Sequence, residues 1–187
     1  MDDTQRIEQA LVATTYADLF ERLVPQAQDD LVHRPGAMAA LHTIVGRAAS
    51  PMHARFLAAE LLFAREPGFP AGDAAAALPP IYAWALANHP TGNLWGLPGD
   101  DDGQAGTHVV RLGAPMVPAL VPLFADERRL PFAGSIEATA AELWQVRVKD
   151  IAAALVARIL HHQPAFPKQA DRSVRDTYIQ DLAHRAR

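Results

Sequence analysis

The chain has no cysteine. That absence excludes a disulfide framework, a thiolate zinc site and a cysteine nucleophile, and it fits a reducing compartment. Charged residues make up only 20% and aromatic residues 7%, while half the chain is apolar, so the composition is that of a packed globule rather than a disordered segment. No window reaches the ~18 uninterrupted apolar residues that a membrane-spanning helix needs. The first residues, Met1 to Arg6, are charged and are followed by no apolar stretch, so no cleaved secretory signal is expected and the chain reads as soluble and cytoplasmic. No run of β-branched residues alternates with polar ones, so strands are not expected. Also missing are a phosphate-cradling glycine loop, a nucleophile motif and a His-x-x-x-His pair, so neither an enzyme nor a bound metal or cofactor is expected.

The net charge is −4 over 187 residues. A phosphate backbone wants a basic face, so this balance argues against nucleic acid as a partner. Such a role would need one contiguous basic surface from Arg111, Arg128, Arg129 and Arg158. The charge is uneven: Lys168 to Arg187 holds five cations against three aspartates, which moves the acidic excess onto the rest of the chain.

What is present is helical periodicity. Ile7, Leu11, Leu19, Phe20 and Leu23 recur between Thr4 and Val24, closed by Pro25. Short helices are expected at Ala27 to His33 and Ala37 to Ala48. Ser50 and Pro51 give an N-cap and a first-turn proline ahead of a helix from Met52 to Arg65. Residues 67–72 form a loop by composition, and Pro79-Pro80 reads as the start of a helix running to Asn88. Residues 89–103 are the longest irregular stretch, and loops of that length are often functional. Helices resume at Gln104 to Leu112, Pro115 to Ala125, Ile136 to Val146 and Val148 to His161, and a last one spans 170–186. About nine helices are expected. In the Pro115 helix, Val117, Leu120, Val121 and Phe124 form one stripe, and Pro122 must bend it.

Two internal echoes point to repetition. Met52 to Leu61 parallels Val146 to Leu155, each with a basic residue at the fourth place and an aliphatic-Ala-Ala-x-Leu run after it. Gly36-Ala37 parallels Gly113-Ala114. Residues 104–160 resemble HEAT-like helical repeats. The stretch Gly113 to Asp126 is similar to a first helix of such a repeat, and Val146 to Leu155 to a second. Residues 50–65 match less closely, and residues 1–35 and 80–103 depart from the pattern. The resemblance implies an all-α, single-domain HEAT/armadillo-like solenoid of antiparallel helix pairs over residues 1–187. It also implies a surface used mainly to hold proteins or peptides.

Candidate sites lie in two places. The first is the loop with Trp95, Asp100, Asp101, Asp102 and, one helical turn on, His108. Three carboxylates suit a hard cation, yet loop ligands converge only in alternation, so consecutive aspartates read instead as an acidic first turn for the helix starting near Gly103. The second is Arg147, Lys149 and Asp150 at the start of the clearest repeat helix. They are either a binding pair on the concave face or an architectural tie between helix ends and loops. His161-His162 cannot readily share an ion, because adjacent helical residues point about 100° apart, and is expected to serve the helix C-terminus. Glu60 and Glu142 sit beside apolar neighbours, as boundary residues of amphipathic helices do.

The expected function is non-catalytic protein binding through the repeat surface, as a bacterial adaptor or scaffold. An immunity protein that captures a basic toxin falls in the same class, since opposite charge speeds encounter. The competing class is an enzyme or metal-dependent module using residues 93–108. The partner expected is another protein or peptide, not a membrane, and the sequence leaves the oligomeric state open.

Overall fold

A computed structural model describes residues 2–21, 24, 26–89, 91–100 and 103–186, with the side chains of Asp73 and Ser135 set aside. Leu23 and Pro25, expected to close the first helix, lie outside the described residues, as do Asp101 and Asp102. The described chain is all-helical, with eleven α-helices rather than about nine. Its one β-type pairing is an isolated bridge between Arg129 and Arg147. It divides into two compact units, Met1–Ile81 and Tyr82–Arg187.

The first unit holds α1 (Asp3–Val12), α2 (Tyr16–Phe20), α3 (Gln26–Val32), α4 (Ala37–Gly46), α5 (Met52–Arg65) and the beginning of α6 (Asp73–Asn88). The single helix expected over residues 4–24 is broken at Thr15. There Thr15 and Asp18 close a capping box that starts a new helix, and hydrogen bonding of this kind outweighs apolar periodicity. Helix α5 is buried on all sides from Ala54 to Leu62, the mark of a central helix. Phe56, Leu57, Leu61 and Leu62 each contribute roughly 1.5–3 kcal/mol by leaving water. Helix α4 packs along α5, and α1 lays Ile7 and Leu11 against both. The carbonyl of Val45, near the end of α4, has no partner within its helix. Arg55 supplies one, donating from Nε at 3.0 Å and Nη2 at 2.9 Å. Glu60 is fully buried, and the Tyr16 hydroxyl donates to it at 3.4 Å. Burial, with the Glu60 charge close by, pushes the Tyr16 phenol upward.

Helix α6 begins at Asp73, upstream of Pro79 and Pro80, which therefore lie inside it. The pair deletes two backbone donors from the helical ladder.

The second unit holds the rest of α6, α7 (Gln104–Leu112), α8 (Val117–Leu120), α9 (Ser135–Trp144), α10 (Val148–Ile159) and α11 (Arg172–Arg185). The expected kinked helix over residues 115–125 is a four-residue α-turn flanked by tighter 3-10 turns, Ala114–Met116 and Val121–Ala125. Prolines at 115, 118 and 122 remove successive ladder donors and leave i→i+3 bonding in their place. Helix α10 is buried throughout from Val148 to Ala157 and packs against α7, α8, the Val121–Ala125 turn and α11. Thus the two stretches that echo each other in sequence are the fully buried helices of the two units. Helix α10 closes on His161, in the left-handed conformation at φ 51°, with His161 N–H donating to Arg158 and His162 N–H to Ala157. Among the described residues no single helix is long and apolar enough to cross a membrane; α7 and Ala114–Ala125 reach that length only together, across a 105° bend.

Candidate functional site

The loop before α7 is packed down rather than open. Leu94, Trp95, Gly96, Leu97 and Pro98 are buried, and the Trp95 ring meets Tyr82 edge-on at 6.4 Å. Helix α7 has no side-chain N-cap. Its first amides are closed instead by the loop backbone, with Ala105 and Gly106 N–H both donating to the Leu94 carbonyl at 2.9 and 3.2 Å. That approach requires glycine at 103 and 106, where a Cβ would overlap the Trp95 backbone. Between residues 95–100 and α10 only about 10 Å³ remains, space for at most one water. The Asp100 carboxylate pairs with Lys168, and its carbonyl accepts from Arg158 at 3.2 Å. His108 sits half-buried one turn into α7. Asp101 and Asp102 are outside the described residues, and among those described no three His, Asp or Glu side chains group as a metal site would require.

Arg147, Lys149 and Asp150 do come together, in a buried ion network. Arg147 is extended just before α10 at φ −114°, ψ 161°, which swings its N–H onto Asp150 Oδ2 at 3.0 Å, half of a capping box. Its guanidinium then folds back on the same carboxylate in a fork, Nε at 3.1 Å and Nη2 at 2.9 Å. From α11, Arg175 donates Nη1 to Asp150 at 2.6 Å and Nη2 to the Trp144 carbonyl at 2.6 Å. Arg147 also reaches Glu127 and Asp176, both at 2.8 Å, and Lys149 binds the same two acids. Three cations thus face three carboxylates. The remaining amides at the start of α10 are satisfied by the preceding segment, Val148 N–H to Arg128 and Lys149 N–H to Asp126. Hydrogen bonds from Lys149 and then Arg147 outweigh partial burial and hold the Glu127 carboxyl below its usual range. Burial opposes ionisation of Asp176, yet the bonds from Arg147 and Lys149 outweigh it and lower that carboxyl too. Burial lowers Arg175. Every bond in the network is internal to the unit, so its chemistry is that of a clamp between the start of α10, α11 and residues 126–130.

The second unit also carries surface features that sequence reasoning passed over. Helix α9 buries only Ala141 among its described large and small apolar residues, while Ile136 and Leu143 stand 77% and 76% exposed. These residues are seven apart and share one helix face. Leu143 lines a groove of about 830 Å³, together with Leu130, Pro131, Phe132, Ala138 and Ala141. The Arg129–Glu142 ion pair, 2.6 Å, lies along it. On the other side of Leu143 is a hollow of about 670 Å³, bounded by Trp144, Gln145, Gln169, Arg172 and Arg175. A helix over Ile136 to Val146 was expected from the sequence, but a helical span does not say which of its faces is left in water. No protein-family model, no curated protein and no solved structure matches the chain.

Proposed function

We propose that the chain is a non-catalytic protein-binding module built from HEAT-like helix pairs, and that its contact surface is the outward face of α9. The observation that carries this reading is the exposed Leu143 in the wall of a groove of about 830 Å³, with Ile136 exposed on the same helix face. Apolar side chains of this size that are left in water next to a groove are the usual anchor points of a protein partner. The flanking Arg129–Glu142 pair gives the groove a polar rim. Support for the helix-pair organisation comes from α4 packed along α5, and from residues 114–125 packed against α10. These last two segments are the ones that resemble first and second repeat helices. Helix α9 is interposed between them in sequence, which departs from a simple repeat and supplies the exposed face.

The test is affinity capture with the wild-type chain and an Ile136→Asp/Leu143→Asp variant. Substitutions at exposed positions change stability by about 0.5 kcal/mol or less, so the variant is expected to fold and to lose the partner that the wild type retains. A partner held equally by both proteins refutes α9 as the contact surface.

A further inference from the structure

We infer that the second unit carries a small-molecule site at the end of α10, which takes a small aromatic carboxylate and holds its acid group with His161 and His162. The site is separate from α9 and does not depend on the contact surface proposed above.

Adjacent histidines diverge by about 100° only while both are helical, and these two are not. Helix α10 ends at Ile159, and His161 turns into the left-handed region at φ 51°. Both histidines line one cavity of about 380 Å³, a volume within the range of ligand pockets. Val110 of α7, Ala154 and Ala157 of α10, and Phe166 give it an apolar wall that suits a flat ring. Helix α11 fixes that wall from behind. The Tyr178 ring meets Phe166 edge-on at 5.4 Å and His162 at 5.5 Å, and its hydroxyl donates to the Pro164 carbonyl at 2.9 Å. The cavity is therefore formed before a ligand arrives, which lowers the cost of binding.

Two observations concern the head of the ligand. The left-handed position that closes a helix is usually glycine or asparagine, and a side chain kept there against that preference points to a use for it. His161 is exposed and His162 half-buried, and neither imidazole makes a hydrogen bond to a described residue. Each ring has an N–H to give, so the pair offers a carboxylate two donors. Among the described residues lining the cavity none is acidic, which disfavours a cationic ligand. No third ligand joins the two histidines among the described residues, which disfavours a bound metal. Arg158 stands on the same wall with Nη1 on the Asp100 carbonyl at 3.2 Å, and it holds the loop end in place there. Asp100, next to the lining Gly99, is paired with Lys168.

The carbonyl end of α10 opposes an anion. Its last turn is largely satisfied within the chain, because the carbonyls of Val156, Ala157 and Arg158 accept from the N–H groups of Leu160, His162 and His161. Selectivity therefore depends on the directed imidazole donors rather than on net charge.

The experiment is titration of the full chain with benzoate, its neutral isostere benzamide and the cation benzylamine, followed by the imidazole resonances in nuclear magnetic resonance spectra. It is repeated on His161→Gly and His162→Phe, each checked by thermal melting. Glycine suits φ 51°, so His161→Gly should melt no lower than wild type. Phenylalanine keeps a ring against Tyr178 and removes the nitrogens. The expected result is saturable benzoate binding that shifts both imidazoles, weaker binding of benzamide and benzylamine, and a loss of about tenfold or more in each variant. The inference is overturned by benzoate that fails to saturate or shifts neither imidazole, by equal or tighter binding of benzamide or benzylamine, or by variants that bind benzoate as wild type does. A His161→Gly protein that melts well below wild type makes the histidine structural and also overturns it.

Discussion

Replacing Asp150 with alanine tests whether the ion network holds the second unit together. Asp150 is fully buried and accepts four hydrogen bonds, from Arg147 N–H, Nε and Nη2 and from Arg175 Nη1. Removing one member of a buried ion pair costs about 3–5 kcal/mol, because the other charge is left unpaired away from water. Arg147 retains Glu127 and Asp176, whereas Arg175 keeps only the Trp144 carbonyl among the described residues. The loss therefore falls mainly on Arg175, and a value near the lower end, about 3 kcal/mol, is expected. At about 4 °C per kcal/mol for a unit of this size, the unfolding temperature should drop by roughly 12 °C. All three tryptophans, Trp84, Trp95 and Trp144, lie within residues 82–187, so urea melts followed by tryptophan fluorescence report this unit alone. The control is Asp176→Asn, a partly exposed carboxylate, which should cost about 1 kcal/mol or less. Adding Arg175→Met to Asp150→Ala should recover part of the loss, since it removes the stranded charge. An Asp150→Ala protein within about 1 kcal/mol of wild type, or no better than Asp176→Asn, refutes the clamp.

Gly106→Ala sets helix propensity against sterics. Alanine gains up to about 1 kcal/mol in a helix interior, but its Cβ would overlap the Trp95 backbone, and overpacking of this kind costs about 1–3 kcal/mol or more. The urea midpoint should fall, whereas Gly46→Ala in the first unit, with nothing within 4 Å of the new methyl and its melt followed by circular dichroism, should be neutral or stabilising; a rise at both positions would show that the loop yields. Acid should also weaken the second unit. The carboxyls of Asp126, bonded by Arg128, and of Glu127 and Asp176 all titrate below their ordinary values in the folded chain. In the window between folded and unfolded values the unfolded chain binds more protons, so their contribution is complete above about pH 4, the unfolded carboxyl range, and is lost as pH falls through the lower folded values. Fluorescence-detected urea midpoints should stay level from pH 7 to 5 and then decline; a decline between pH 7 and 5 would contradict this assignment.

How much of the molecule was legible in its sequence differs from element to element. Helix α5 was readable to both ends from the apolar positions of residues 52–65, but not for the capping expected of it: Pro51 is itself the N-cap residue with no side-chain cap, and the Ser50 hydroxyl accepts from Arg47 instead. Helix α7 was equally clear. The start of α6 was not, since Pro79-Pro80 reads locally as a helix start, and only the assembled chain shows that the helix runs through both prolines.

The candidate residues divide the same way. Arg147 and Asp150 were identified from their place before and within the first turn of α10, and that spacing alone builds the fork between them. Their burial, and the recruitment of Arg175 and Asp176, depend on α11 returning some 25 residues later to the same point. Asp100 was identified as part of an acidic run, yet its partner Lys168 comes from a distant loop. Residues 136–146 were legible as a helix, but the exposure of Ile136 and Leu143 on it was not.

Composition and local hydrogen-bond chemistry act over a turn or two of chain, and they determined the helical class, most helix ends and the capping pairs. Which charges lose water, and which apolar face is left in it, depends on segments brought together from far apart, and that was decided only by the tertiary structure.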